Sequence, residues 1–223
     1  MKAIVLSSGG IDSTTCLGMK VAELGKENVV SVSVFYGQKL KKELQCADKI
    51  ADHYGVRHIL FDLSEVLKYS DCSLMETGQA VVHSSYEEQL ERGELTSYVP
   101  FRNGLMLSVV TTLAYSLFKG EECEVVLGCH LSDFGYADCT GAFVKSMGEA
   151  INTGTYGKIR LVTPLMDKEK TDVVRTGLEL KVPYELTWSC YEGKDKPCHQ
   201  CGSCIDREKA FINNGTIDPL CEE

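Results

Sequence analysis

Ser7–Cys16 reads SSGGIDSTTC. It follows the apolar run Ala3-Ile4-Val5-Leu6, which reads as a buried strand, and it opens a long segment that reads as a helix. Two glycines and a cluster of hydroxyls at such a junction predict an anion cradle. Main-chain N–H groups and the positive end of the helix dipole converge there. Gly9 and Gly10 let the backbone approach an anion closely, and Ser8, Ser13 and Thr14 add hydroxyl donors. The Gly-Lys-Ser/Thr ending of the common P-loop is absent, so the loop holds no lysine for a terminal phosphate. Asp12 is a carboxylate within an anion site, which predicts either a magnesium ligand or a helix cap.

Around this loop the chain has ordinary globular proportions. Its 223 residues suffice for one sizeable α/β domain, with 43% hydrophobic and 25% charged residues. The net charge of −9 argues against non-specific nucleic-acid binding. The apolar run after Met1-Lys2 is four residues, too short for the core of a signal peptide. The most apolar stretch, Leu105–Phe118, is interrupted by Ser108, Thr111 and Thr112 and reads as a buried helix, not a membrane span. The 11 cysteines are odd in number, which fits a reducing cytoplasm better than a disulfide framework. Four of them cluster between Cys190 and Cys204, and Cys16, Cys46, Cys72, Cys123, Cys129, Cys139 and Cys221 are scattered.

Apolar patterning predicts strands at Lys2–Leu6, Asn28–Phe35, Arg57–Leu63, Glu124–Gly128 and Arg160–Val162. Helices are expected at Ser13–Leu24, Leu40–Tyr54, Arg102–Phe118, Gly141–Ile151, Lys168–Leu180 and Ile205–Asn213. Ser64–Pro100 reads as a loop with short helical pieces, and a loop of that length in a compact domain is more often functional than idle. The alternation predicts an α/β protein with a doubly wound, mostly parallel, Rossmann-like sheet and ligands at the carboxyl ends of its strands. Residues 1–186 form the nucleotide unit in this reading, and 187–223 form a metal-binding segment packed on it.

That segment contains WSCYEGKDKPCHQCGSC, Trp188–Cys204. Its spacing, Cys190-x7-Cys198-x2-Cys201-x2-Cys204, brings thiolates within reach of one tetrahedral zinc, with Zn–S bonds near 2.3 Å. Iron–sulfur ligation is the rival. His199 adjoins Cys198 and is expected to point away from the metal. Four thiolates leave no open coordination position, so a closed structural Zn²⁺ is the reading preferred here.

SGGIDS resembles the PP-loop of the ATP pyrophosphatases, the superfamily of GMP synthetase, asparagine synthetase and tRNA thiolation enzymes. The resemblance implies that ATP is split to AMP and pyrophosphate, and that a basic residue from elsewhere assists. Lys170, in TPLMDKEKTD, is the candidate; its bland alternative is a solvated helix lysine. FYGQ (Phe35–Gln38), YVPFRN (Tyr98–Asn103), GCHLSDFGYADC (Gly128–Cys139) and TWSCYEG (Thr187–Gly193) extend the likeness along nearly the whole chain. Together with the cysteines they resemble the QueC family of 7-cyano-7-deazaguanine synthases.

That resemblance implies an adenine nucleotide alpha-hydrolase-like fold and an ATP-dependent carbon–nitrogen ligase. It would convert 7-carboxy-7-deazaguanine and ammonia to the nitrile through adenylate and amide intermediates. Ser7, Ser8, Gly9, Gly10, Asp12, Ser13, Thr14, Tyr36, Gln38 and Lys170 would hold ATP and Mg²⁺, with Asp12, Lys170 and Arg102 in catalytic roles. Arg102 would pair with a phosphate or the substrate carboxylate, beside Asn103. Asp133, Tyr136 and Asp138 are candidates for reading the deazaguanine. The partners implied are small molecules, with no membrane, no direct nucleic-acid binding and room for a homodimer.

Many members read Gly-Tyr-Pro-Asp-Cys-Arg where this chain has Gly135-Tyr136-Ala137-Asp138-Cys139-Thr140, so a turn is loosened and a cation removed. Joining the carboxylate to another amine is therefore a second reading. A tRNA sulfur transferase and a non-catalytic zinc-knuckle nucleic-acid module are further alternatives, opposed by the acidic balance. Cys16, in the first turns of the loop's helix, reads as a packed small hydrophobe more readily than a reactive thiolate; Cys139, in a ligand loop, is open to either.

Overall fold

A strand alternates its side chains between two faces. In β1 (Lys2–Leu6) Ala3 and Val5 enter one hydrophobic core while Ile4 and Leu6 enter another. β1 is thus covered on both sides, as expected of a central strand in a doubly wound sheet. The computed structural model describes residues 1–221 apart from 77, 94, 134 and 194. Its sheet has five strands in the order β3-β2-β1-β4-β5, with β2 (Val29–Phe35), β3 (Arg57–Asp62), β4 (Cys123–Val126) and β5 (Ile159–Val162). Every pairing is parallel, so the sheet expected to be mostly parallel is wholly so among the described strands.

Helices α1 (Ile11–Leu24) and α2 (Lys42–Tyr54) cover one face, supplying Ile11, Leu17, Ile50 and Ala51 to the core of Ala3 and Val5. The expected long loop carries two short helices, α3 (Ser64–Leu67) and α4 (Tyr86–Arg92), and Leu67 of α3 joins Tyr36, Met75 and Val99 in a small core. Helices α5 (Arg102–Leu117) and α6 (Gly141–Gly154) cover the second face through Leu107, Val110, Ala114 and Ile151. Thr140, read above as a lost cation, is the N-cap of α6 and accepts from the Phe143 N–H. Among the described residues no helix is long and apolar enough to cross a membrane.

Helices α7 (Lys170–Glu179) and α8 (Gly202–Asn213) return to the first face. Trp188, Cys190, Cys201, Cys204 and Phe211 share a core with Ala3 and Val5, so the described residues of the segment after 186 pack on the same core as those before it. A buried ion pair braces it: Arg207 Nε and Nη2 bind the Asp218 carboxylate at 2.6 and 2.8 Å. Residues 222 and 223 of the expected segment lie outside the described residues.

Candidate active site

The chain leaves β1 and β4, neighbours in the sheet, toward helices on opposite faces. That divergence opens a crevice at the carboxyl ends of the strands. Gly128, just beyond β4, lets this strand end press against the start of α1; a Cβ there would lie 3.2 Å from the Asp12 carbonyl and the Ser13 nitrogen.

The loop after β1 is fastened by its own hydroxyls. Thr14 N–H and Oγ1 both bond the Gly10 carbonyl, at 3.1 and 2.7 Å, and Ser13 Oγ accepts from the Ser8 N–H at 3.1 Å. Gly9 has φ +83°, and a Cβ on it would stand 2.2 Å from the Glu43 carbonyl. Its missing side chain therefore admits the first turn of α2, a different service from the approach to an anion expected of it.

Asp12 is not the cap of α1. The N-cap is Gly10, which has no side chain to offer, and Asp12 turns instead to Lys170, whose Nζ donates to both carboxylate oxygens at 2.7 Å. This corrects the cap alternative and removes the solvated reading of Lys170. His130 Nε2 lies 3.5 Å from both Asp12 Oδ1 and Lys170 Nζ, and its buried Nδ1 has no partner among the described residues. Burial pushes the Asp12 carboxyl up, but Lys170 and His130 outweigh it and hold it below its usual range.

These groups open on a cavity of about 250 Å³. Ser7, Ser8, Gly10, Asp12, Ser13, Tyr36, Gln38, Arg102, Asn103, Asp133, Tyr136, Asp138 and Lys170 line it; Gly9 and Thr14 stand outside the lining. Arg102, at the start of α5, donates to the Tyr36 hydroxyl at 3.1 Å and lies 5.2 Å from the centre of its ring. Among the described residues it forms no ion pair, so its charge is available to an anion in the cavity. Gln38 spends its carbonyl on the Tyr36 N–H at 2.8 Å and holds the turn after β2.

The two aspartates differ in freedom. Asp138 is 4% exposed and accepts from the Asn103 N–H at 2.8 Å, anchoring the first turn of α5. Asp133 accepts from the His130 N–H at 3.0 Å and keeps a quarter of its side chain exposed, with its carboxyl pushed up by burial. Tyr136 donates to or accepts from Ser97 at 2.7 Å, and burial pushes its phenol up to about 12. Cys139 lines the cavity and accepts from Asn103 Nδ2 at 3.2 Å, while Cys16 is fully buried; burial raises both thiols, which keeps them protonated.

Sequence reasoning did not single out His130, Glu43, Tyr86, Trp188, Tyr191 or Asp206, which also line the cavity. His130 stands four residues past β4, where the strand-end rule could have found it. Glu43 has its carboxyl pushed to about 7 by burial. Tyr86 and Tyr191 join their hydroxyls across the cavity wall; Tyr191 lies within the TWSCYEG motif, whereas the segment around Tyr86 offers no local signal.

Beside the cavity, the sulfurs of Cys190, Cys198, Cys201 and Cys204 all lie within 4.8 Å of one another. Main-chain N–H groups of Gly193 and Cys198 donate to the Cys190 sulfur at 2.9 and 3.3 Å, and that of Cys201 donates to the Cys198 sulfur at 3.3 Å. Such donors stabilise thiolates. The Cys201 and Cys204 thiols hydrogen-bond to Cys190 and drive it low, while they themselves are driven up. Four packed thiols ionise together only around a cation, so the donor set fits a metal ion. His199 turns away, to Glu208.

A parallel sheet with a glycine–serine loop at its central strand end and a cavity at the switch point defines a PP-loop-type α/β protein. The profile of the family described as "Queuosine biosynthesis protein QueC" matches residues 2–215, and the chain belongs to that family. It is 40% identical to a 7-cyano-7-deazaguanine synthase of Archaeoglobus fulgidus, over 100% of this chain and 91% of that one. It is 36% identical to a protein of the same name from Hahella chejuensis, over 100% and 93%. Among solved structures, NMN synthetase from Francisella tularensis is similar in fold, with a TM-score of 0.51 at 14% identity, over 96% of this chain and 77% of that one. The U34-tRNA thiolase NcsA from Methanococcus maripaludis, with its [4Fe-4S] cluster, gives 0.52 at 14% identity, over 96% and 66%.

Proposed function

We propose that this chain is an ATP-dependent carbon–nitrogen ligase that converts 7-carboxy-7-deazaguanine and ammonia to 7-cyano-7-deazaguanine in 7-deazapurine biosynthesis. One observation carries the reading beyond family membership: the glycine–serine loop, the Asp12–Lys170 pair, Arg102 and Asp133 all face one cavity. A carboxylate is a poor electrophile. Transfer of AMP to it expels pyrophosphate and supplies a leaving group; ammonia then displaces AMP to give the amide. A second AMP transfer, to the amide oxygen, expels a second pyrophosphate, and loss of AMP and protons leaves the nitrile.

In this proposal Ser8, Gly10 and Ser13 hold the phosphates of ATP, as does Lys170 once it leaves Asp12. Asp12 would hold Mg²⁺, which supplies positive charge against pyrophosphate. Tyr36 fixes Arg102 toward a phosphate or the substrate carboxylate. Asp133, less committed than Asp138, accepts from the amino and ring N–H groups of the deazaguanine, and Tyr136 packs on its face. The four cysteines hold a structural Zn²⁺, which fits the closed sulfur set. A cytoplasmic enzyme acting on small molecules, without direct nucleic-acid binding and able to form a homodimer, completes the proposal.

The test is incubation with ATP, Mg²⁺, ammonium and 7-carboxy-7-deazaguanine, read by mass spectrometry and nucleotide chromatography. The nitrile with AMP and pyrophosphate is expected. ADP as the main substrate-dependent product, or an amide carrying a different amine, would overturn it. Asp12→Asn should slow turnover by at least about a hundredfold, or about 2.7 kcal/mol of barrier.

A further inference from the structure

We propose that His199, Glu208 and Cys221 form a second site for a divalent transition metal, separate from the four-cysteine site and open to solvent. Each residue offers one donor atom, and these three atoms lie within 4.8 Å of one another. His199 Nδ1 already meets Glu208 Oε1. The set combines an imidazole nitrogen, a carboxylate oxygen and a sulfur. Such a mixture suits zinc and its borderline neighbours, whereas magnesium and calcium take oxygen donors and iron–sulfur clusters take thiolates. Three protein ligands leave one position for water, the arrangement of an exchangeable site and not of a sealed one.

Each ligand is placed by the backbone. His199 sits between two cysteines of the first site with φ +59°, a left-handed conformation that few residues other than glycine adopt. The ring thereby meets α8 and stays outside the four-sulfur set. On α8, Glu208 follows Cys204 by four residues, so one helix face carries a thiol of the first site and then the carboxylate. Cys221 is fixed from the other side. Its N–H donates to the Asp218 carbonyl at 2.8 Å, and the Asp218 side chain is clamped by Arg207, the chain neighbour of Glu208. His199 and Glu208 keep 48% and 31% of their side chains exposed, which leaves the fourth position accessible to water.

The test uses the intact protein as purified, with its four-cysteine site filled. Equilibrium dialysis against micromolar zinc, read by elemental analysis, should show one further zinc per chain in the wild type. Titration with cobalt(II) should show a separate single-thiolate charge-transfer band for that equivalent. Cys221→Ser should abolish the band, and the shape-conserving Glu208→Gln should weaken uptake by at least about tenfold. Both variants should keep the metal of the four-cysteine site. Absence of a further equivalent in the wild type overturns the proposal, as does undiminished uptake in both variants.

Discussion

The main-chain N–H of Trp188 donates to the carbonyl of Gly9 at 2.8 Å. Trp188 is 2% exposed, and its indole N–H donates to the carbonyl of Cys190, the first cysteine of the metal set. The cysteine segment is therefore hydrogen-bonded directly to the glycine loop, and a fault in one is felt in the other.

Cys201→Ser should lose the structural metal, since metal affinity and folding are coupled. A loss of roughly 2 kcal/mol would lower the thermal midpoint by about 4–8 °C. Weaker ATP binding should appear below the midpoint, where Trp188, the only tryptophan in the chain, reports it by fluorescence. Iron with a visible absorption band, or no metal in the wild type, would sink the zinc assignment.

Gly9 and Gly10 should respond differently to alanine. Gly9→Ala puts a Cβ 2.2 Å from a main-chain oxygen at a left-handed φ, so α2 must shift; a cost of about 1–3 kcal/mol and a fall in turnover are expected. At Gly10 the nearest atom would be 3.4 Å away and φ is −87°, so less than about 1 kcal/mol is expected. Equal losses in urea denaturation would contradict this account.

The elements were legible in the sequence because their signals are local: four apolar residues before SSGG, valines in β2, paired cysteines at fixed spacing. So was part of the cavity wall, in the motifs around Asp12, Arg102 and Asp133. What no local pattern carries is which partner a side chain takes. Asp12 reads as a magnesium ligand or a cap, and neither reading names Lys170, 158 positions away, which binds both its carboxylate oxygens. Gly9 reads as room for a ligand, but the room is for α2. Tyr86 and Tyr191 meet only because the cysteine segment folds back over the long loop.

Lys170→Gln should make stability depend on pH in a new sense. In the wild type the Asp12 carboxyl is held low, so it stabilises the fold above the unfolded value near 3.9, and that contribution is lost as pH falls through the lower folded value. Without Lys170, burial dominates and the carboxyl rises. The variant then loses stability as pH rises from about 4 through the raised value, reaching a deficit of about 1–3 kcal/mol near pH 7. Urea melts across that range give the answer; a deficit independent of pH would assign Lys170 no electrostatic role toward Asp12.

Asp218→Asn keeps the shape of the side chain but leaves Arg207, 2% exposed, without its counter-charge. Breaking a buried pair in this way should cost about 3–5 kcal/mol. Chemical denaturation measures it directly, and a loss under about 1 kcal/mol would mean that the guanidinium finds water or another acceptor.

The distance along the chain between Asp12 and Lys170 also sets a timetable. During synthesis the glycine loop emerges early, yet its carboxylate must wait for 158 further residues before its partner exists. At about 5–20 residues per second that interval lasts roughly 8–30 s. Until then the loop has neither its lysine nor the Trp188 strap. Both come with α7 and the cysteine segment, which are synthesised after all five strands of the sheet and pack on its first face.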